Sequence, residues 1–267
     1  MHIASGIEML EITAQVMGGS DTIYPTLLWD QNSAVLVDTG FPGLLPMFKE
    51  ALKEAHVPWE QLRTVIITHQ DLDHIGSLPA LLSDESLSLT VLAHEIEKPY
   101  IEGERMLLKH TPEALAAAEA MIPPHVPEEW RHAFLSVLSH PPKGRVDQTL
   151  MDGEMLPLAG GITIIHTPGH SPGHLSLYHH NSRTLIAADA LTVQDGELHG
   201  PTPSATPDMK LALSSLAKFS EYEIEKVICY HGGIYRGDAK NELLKLLKKK
   251  NKYIQEGRAR MALPSYS

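Results

Sequence analysis

Apolar positions along the chain alternate between two spacings, and the changes of spacing lay out a series of elements. Ile7 to Thr13, Tyr24 to Trp29 and Ala34 to Val37 are rich in β-forming residues. They are divided by the polar stretches Gly18-Gly19-Ser20-Asp21 and Asp30-Gln31-Asn32-Ser33, so each reads as a strand between turns. After Asp38-Thr39-Gly40 the period changes. Leu44, Leu45, Phe48, Leu52 and Ala55 recur at helical spacing, with Pro58 beyond the end. A buried-type strand comes next at Thr64 to Ile67, then a polar burst, a short helix around Ser77 to Leu82, and a strand at Leu89 to Leu92.

From about Pro99 to Val146 the pattern differs. Thr111-Pro112-Glu113 opens an Ala/Leu/Glu helix, and Pro123-Pro124, Pro127 and Pro141-Pro142 interrupt the helical pieces beyond it. Proline-broken helices of this kind predict an insertion packed on a face. Strand signals then return. Leu150 to Leu158 reads as a hairpin around Asp152-Gly153, succeeded by strands at Ile162 to Ile165, Leu175 to Tyr178 and Thr184 to Ala188. A helix fits Pro207 to Phe219, a last strand Val227 to Tyr230, and a closing helix Asp238 to Ile254. Helices between strands in both halves predict an α/β protein with two sheets covered by helices. Residues 1–267 are expected to form a single domain, with 99–146 as a helical lid inserted within it.

Composition narrows the function. A net charge of −11 disfavours a nucleic-acid partner, which needs cationic surface to neutralise phosphates. No apolar run approaches the roughly 18 residues of a membrane helix. The start MHIASGIEMLEIT lacks the basic and apolar regions of a signal peptide. A cytoplasmic protein with neither membrane nor nucleic-acid partner is therefore expected. A single cysteine, Cys229, rules out an intramolecular disulfide and leaves no thiolate zinc site. Histidine stands out instead, 16 residues against 4 phenylalanines, and imidazole is a good metal ligand.

Six of those histidines lie where chemistry is expected, and the others have no spacing argument. Thr68-His69-Gln70-Asp71-Leu72-Asp73-His74 comes directly after a strand. His170 lies within His166-Thr167-Pro168-Gly169-His170-Ser171-Pro172-Gly173-His174, Asp189 follows the strand ending at Ala188, and His231 follows Tyr230. Ligand-type residues at four strand ends from both halves could converge on one edge, because α/β proteins hold their sites in such loops. Imidazole and carboxylate donors suit Zn, Mn, Fe or Co.

The ordered set of these motifs, with Asp38-Thr39-Gly40, resembles the metallo-β-lactamase superfamily from Thr22 to Gly233. The resemblance implies a four-layer αββα sandwich with a dinuclear site at one edge. It places His69 and His170 on a first metal, Asp73, His74 and His231 on a second, and Asp189 between them. Asp71 stands where the common motif has histidine and can still ligate. Two divalent ions are expected, zinc first, with the Asp71 carboxylate making room for Mn or Fe. The implied activity is hydrolysis by a metal-bridging hydroxide, with Asp73 as the catalytic proton carrier besides being a ligand. The substrate is expected to be a small molecule carrying an ester, lactone or thioester. A phosphodiesterase of the same fold, a di-iron oxidoreductase and a non-catalytic ligand-binding scaffold are the alternatives. Oligomeric state stays open, a homodimer included.

Around this set, His166, His174 and Asp38 are expected to support the loops without binding metal. Tyr24, Tyr235 and Thr192 could reach a substrate or simply pack. The insertion's Met106, Leu107, Leu108, Met121, Ile122, Trp130, Phe134 and Leu138 form either a small core of their own or an apolar roof over the metals. Lys245, Lys248, Lys249, Lys250 and Lys252 read as a solvated helix face.

Overall fold

A computed structural model describes residues 1–16 and 19–248. Gly18, Lys249, Lys250, Lys252 and the expected helix end at Ile254 lie outside the described residues.

Two sheets stack face to face. The first, seven-stranded, runs in the order His2–Ala4, Ile7–Met9, Thr26–Trp29, Ala34–Val37, Leu62–Ile67, Thr90–His94, Gln148–Leu150. It is antiparallel up to Ala34–Val37 and parallel from there on. The second, six-stranded, runs Met155–Leu156, Ile162–His166, Leu175–His179, Thr184–Ala188, Lys226–Cys229, Gly233–Tyr235. Within it only Thr184–Ala188 and Lys226–Cys229 pair in parallel.

Successive side chains of a strand point to opposite faces, and here each face meets its own core. Val35, Val37, Ile66 and Leu92 of the first sheet pack between the sheets against Ile162, Ile164, Leu175, Leu177, Ile186 and Ile228 of the second. The intervening Ala34, Leu36, Val65, Ile67, Val91 and Ala93 face outward onto Phe48 and Leu52, the buried side of the helix Leu45–Glu54. On the far side Ile165, Leu185, Ala187, Val227 and Cys229 meet Leu216 and Phe219, with Ala239, Leu243 and Leu246 of a helix over 239–248. Three cores between four layers make an αββα sandwich. Every central strand is apolar on both faces because both are covered.

Between Thr90–His94 and Gln148–Leu150 the chain forms the helices Lys98–Ile101, Pro112–Met121 and Glu128–Ser139. Thr111 caps the second by accepting from Ala114 N at 3.2 Å, the role its position before Pro112 suggests.

Several expected elements are redrawn. Leu150 to Leu158 is not a hairpin. Its first arm, Gln148–Leu150, pairs with Thr90–His94 in the first sheet, while Met155–Leu156 pairs with Ile162–Thr163 in the second. The Asp152-Gly153 turn thus carries the chain from one sheet to the other. Ile7 to Thr13 divides into Ile7–Met9 in the main sheet and Ile12–Val16, which forms a separate ribbon with Gly19–Ile23. Pro207 to Phe219 contains the helix Met209–Ser215 and continues as a 3-10 turn over Leu216–Glu221. A hairpin of Thr192–Gln194 and Glu197–His199 was not expected, although Asp195-Gly196 is a strong turn signal. Both residues take positive φ, 51° and 78°.

Candidate metal centre

Asp38, the 68–74 loop, the 166–174 loop, Asp189 and His231 all stand at the C-terminal ends of central strands from the two sheets. The edges are laced together there. Leu175 N donates to Thr68 O at 3.0 Å, and Tyr24 N donates to Tyr230 O at 3.0 Å. Gly232, with φ +88°, turns the chain immediately after His231, and a Cβ there would lie 1.9 Å from Val193 O. Only glycine fits that approach.

The structure brings every predicted ligand into one cluster. His69, His170 and Asp189 form one group and Asp73, His74 and His231 a second, with the donor atoms of each group within 4.8 Å of one another. Asp189 faces both groups. Its Oδ2 lies 3.3 Å from His170 Nε2, 3.5 Å from His231 Nε2 and 4.0 Å from His69 Nε2, and its Oδ1 lies 3.5 Å from His74 Nε2. Asp73 Oδ2 is 3.2 Å from His231 Nε2 and 3.6 Å from His74 Nε2. Asp71 Oδ2 sits 3.2 Å from His69 Nε2 and 3.1 Å from His170 Nε2, on the first group's side. His69 and His170 there are buried and Asp71 borders a groove, whereas the His231 side chain is 32% exposed, so the second group is the more open to solvent.

Ring orientation is set from behind. His74 Nδ1 donates to Asp38 Oδ2 at 2.9 Å, and His69 Nδ1 meets Thr68 Oγ1 at 3.0 Å. Thr68 Oγ1 in turn donates to Asp38 Oδ2, and Thr68 N to Asp38 Oδ1, both at 2.8 Å. His170 Nδ1 reaches Thr206 Oγ1 at 3.2 Å. With each Nδ1 engaged, Nε2 of all three rings faces the centre, the tautomer that metal ligation needs. Asp38 itself takes a positive φ of 66°, a strained conformation for a residue other than glycine, and it touches the loop but not the centre. His174 is likewise used up: Nδ1 bonds Thr167 Oγ1 at 2.8 Å and Nε2 accepts from Asp189 N at 3.1 Å. His166 donates to Pro172 O at 2.9 Å. Both are loop supports in this geometry. Tyr24 packs on Gly233, Thr192 bonds Gly200 O, and Tyr235 packs against the outer core.

Charge in the cluster is strongly polarised. Burial opposes ionisation of Asp71, Asp73 and Asp189, yet the surrounding imidazoles outweigh it. All three fall below the usual carboxylate range, Asp71 and Asp189 well below, with Lys109 adding to the effect at Asp71. For His74, burial is overcome by Asp38, Asp73 and Asp189, which hold it well above the usual imidazole value. Asp189 and Asp73 lift His231, against burial, to about 10. Burial and neighbouring histidines push His69 and His174 down.

A metal fits this arrangement. His69 Nε2, His74 Nε2 and Asp189 Oδ1 are buried with no hydrogen-bond partner. Orphaned buried polar atoms are costly, and three of them within the two ligand groups are what cation ligation would satisfy. The donor set is imidazole and carboxylate, suited to Zn, Mn or Fe.

Sequence reasoning missed three residues here. Glu97, fully buried, accepts at Oε2 from Gln70 N and Nε2 and at Oε1 from Ser171 Oγ and Gly173 N, so it ties the two ligand loops together. Lys109, from the insertion, donates to Asp71 Oδ2 and reaches His170 Nε2 at 2.8 Å. Tyr230 stacks on His74 at a centroid separation of 3.9 Å and donates to Asp73 O at 2.5 Å. Tyr230 sits beside His231 and was readable as a neighbour; nothing local marks Glu97 or Lys109.

Two apolar grooves flank the cluster. One, of about 540 Å³, runs between Leu72 and Phe41 on the site side and Val126, Trp130, Phe134 and Val137 of the insertion. The other, of about 350 Å³, is lined by Leu108, Lys109, His170, Pro172, Pro207 and Leu211. Leu107, Ile122 and Leu138 are buried, while Trp130 is 60% and Met121 78% exposed. The insertion therefore supplies both packing and groove wall.

Comparison with known proteins gives the family and the fold. Residues 19–231 match the family model of the metallo-beta-lactamase superfamily. The probable metallo-hydrolase YflN of Bacillus subtilis is 31% identical over 214 residues, 76% of each chain. Hydroxyacylglutathione hydrolase GloC of Haemophilus influenzae is 24% identical, covering 69% of this chain and 71% of its own. An N-acyl homoserine lactonase of a Bacillus species is 26% identical, covering 77% and 78%. Among solved structures, the metallo-beta-lactamase family protein TTHA1429 of Thermus thermophilus superposes with a TM-score of 0.65 at 23% identity, over 98% of this chain and 85% of that one. Among the described residues, no helix is long and apolar enough to cross a membrane.

Proposed function

Because the chain belongs to the metallo-β-lactamase superfamily and is a metal-dependent hydrolase, we propose that it holds two divalent ions and cleaves a carboxylic ester, lactone or thioester of a small molecule. The observation that carries this is the convergence of His69 Nε2, His74 Nε2 and Asp189 Oδ1, all buried and unpartnered, with Asp189 within reach of both ligand groups. His69, His170 and Asp71 would hold the first ion, Asp73, His74 and His231 the second, and Asp189 both. Zinc suits this set, and Asp71 widens it to Mn or Fe.

When bound, such ions supply a water activated near neutral pH and Lewis acidity at the carbonyl oxygen. The residues supply the rest. Asp73 Oδ2, on the open side beside His231, is placed to take the water's proton and return it to the leaving group. The Asp38–Thr68 pair keeps the Nε2 atoms aimed inward. The grooves beside Leu72 and Leu108 take the substrate's apolar parts and exclude water.

The larger groove favours a carbonyl substrate over a phosphodiester, while in the smaller one the Lys109 ammonium is engaged by Asp71 and His170. The larger groove carries Glu129 and no lysine or arginine in its lining, a poor surface for a phosphate anion. The names of the GloC and N-acyl homoserine lactonase relatives point the same way.

The test is metal analysis of protein purified without chelator, followed by turnover of lactone, thioester, aryl ester and bis-nitrophenyl phosphate substrates. Close to two metals per chain with hydrolysis of one of the first three is expected. Far less than one metal per chain would overturn the metal reading. Phosphodiester turnover alone, iron with redox activity and no hydrolysis, or bound metal without turnover would each replace the substrate class.

A further inference from the structure

We propose that Lys109 is an internal cation that occupies the first metal position in the metal-free protein, so that the two metal groups fill unequally and in a fixed order. This rests on the metal-centre reading above and goes beyond it to the regulation of that centre.

Two of the first group's donors are engaged by one ammonium. Lys109 Nζ donates to Asp71 Oδ2, the carboxylate that replaces an imidazole at this position, and to His170 Nε2 at 2.8 Å. Thr206 Oγ1 donates to Thr202 O at 2.8 Å and so accepts from His170 Nδ1, which leaves Nε2, 3.1 Å from Asp71 Oδ2, to offer its single lone pair to the ammonium that bridges the two. That lone pair can accept from Lys109 or ligate a metal, not both. A divalent ion and an ammonium sharing these two donors would also stand within a few ångströms and repel each other strongly. The first ion therefore has to displace Lys109.

Among the described residues nothing comparable occupies the second group. The polar partners of Asp73, His74 and His231 are Asp38, Thr68 Oγ1, Asp189 and the Tyr230 hydroxyl, and among the described residues none is a lysine or arginine. That group is free to take an ion without displacing a side-chain cation of the insertion.

Displacement needs no backbone movement. The segment carrying Lys109 is anchored by Leu108 N donating to Gln70 Oε1 at 2.7 Å and by Leu107, 3% exposed in the outer core. The lysine stem is flexible and 25% exposed, and it borders the groove formed with Pro172 and Leu211. Asp71 and Lys109 together thus make the first site a conditional one, opened when metal is abundant.

The experiment is a zinc titration of metal-stripped full-length protein against a chromophoric chelator, for wild type, Lys109→Met, Lys109→Gln and His231→Ala. Two classes of site are expected in wild type. Lys109→Met and Lys109→Gln should tighten the weak class at least about tenfold, equivalent to about 1.4 kcal/mol, and leave the tight class within about twofold. His231→Ala should remove the tight class and keep the weak one. Circular dichroism melts verify that each variant is folded, and the glutamine variant stands in should methionine fail. A weak class unmoved or loosened in both Lys109 variants, or a tight class that survives His231→Ala, overturns the proposal while the metal reading stands. Wild-type protein that binds neither zinc, manganese nor iron takes down both.

Discussion

Changing Glu97 to glutamine alters one atom and should destabilise the whole edge of the sandwich. Both carboxylate oxygens of Glu97 accept two hydrogen bonds: Oε2 from Gln70 N at 3.0 Å and Gln70 Nε2 at 2.8 Å, Oε1 from Ser171 Oγ at 2.8 Å and Gly173 N at 2.7 Å. Glutamine must present an NH2 to one pair of donors. Facing Gln70, it would oppose two N–H groups, and Gln70 cannot turn over because its Oε1 already accepts from Leu108 N. Facing the other loop, it can donate to the Ser171 hydroxyl once that rotates, which leaves Gly173 N without an acceptor. The second arrangement is cheaper. One buried N–H left unpaired costs about 1–3 kcal/mol, and bonds to a neutral acceptor are weaker than those to a charged one, so the total is about 2–4 kcal/mol. For a chain of this size that is a fall in Tm of roughly 5–15 °C.

The site gives no room to relax. Gly173 approaches Glu97 so closely that a Cβ would lie 2.8 Å from Glu97 Cγ and 2.9 Å from its Oε1. The assay is urea unfolding of metal-stripped protein, so that metal linkage does not enter. Wild type, Glu97→Gln and Glu97→Ala are compared, with alanine expected to cost at least as much as glutamine. A glutamine variant within about 0.5 kcal/mol of wild type, the size of a neutral surface change, would refute the claim that Glu97 holds the two loops together.

Asp73→Ala and Asp189→Ala should each reduce turnover by at least about a hundredfold with the fold retained by circular dichroism; near-wild-type turnover in metal-loaded protein would remove the role assigned to that residue. Asp38→Asn keeps a side chain that tolerates positive φ but removes an acceptor from His74 Nδ1 or Thr68, and should weaken zinc binding about 10–100-fold; a change under twofold by chelator competition counts against orientation from behind. Cys229 is buried, and burial together with Asp189 raises its thiol far above the usual range, so it should resist iodoacetamide in native protein at pH 8 and react on unfolding; labelling at equal rates in both states would contradict its placement.

Much of the cluster was legible because its candidate ligands sit in the loops that leave apolar runs. His69, His170, Asp189 and His231 each come after a strand whose residues are covered on both faces, so the end of the run marks both the strand end and the ligand. Glu97 and Lys109 escaped for a physical reason. Their contacts span 27 to 76 residues of sequence, and a lone lysine in Leu107-Leu108-Lys109-His110 looks like any solvated side chain. Leu150 to Leu158 misled for a related reason. A turn signal between two short apolar arms says that the chain bends, not which sheet each arm joins, and here tertiary packing sends the arms to different sheets.

Two buried carboxylates hold the candidate metal groups from behind, Asp38 under His74 and, through Thr68, His69, and Glu97 under the loop of His170. Asp38 grips Thr68 and His74, which belong to the 68–74 loop and the first sheet. Glu97 joins that loop to the 166–174 loop of the second sheet, which carries His170. Asp189 is the one side chain aimed at both groups, and its own backbone N–H is fixed by His174. Strain or mutation at Asp38 should therefore reach both groups, His74 directly and His69 through Thr68, whereas at Glu97 it should act first on the group containing His170. The insertion bonds to this edge at the second of these, through Lys109 and through Leu108 on Gln70. Movement of the insertion should thus act first on Asp71 and His170, before Asp73 and His231.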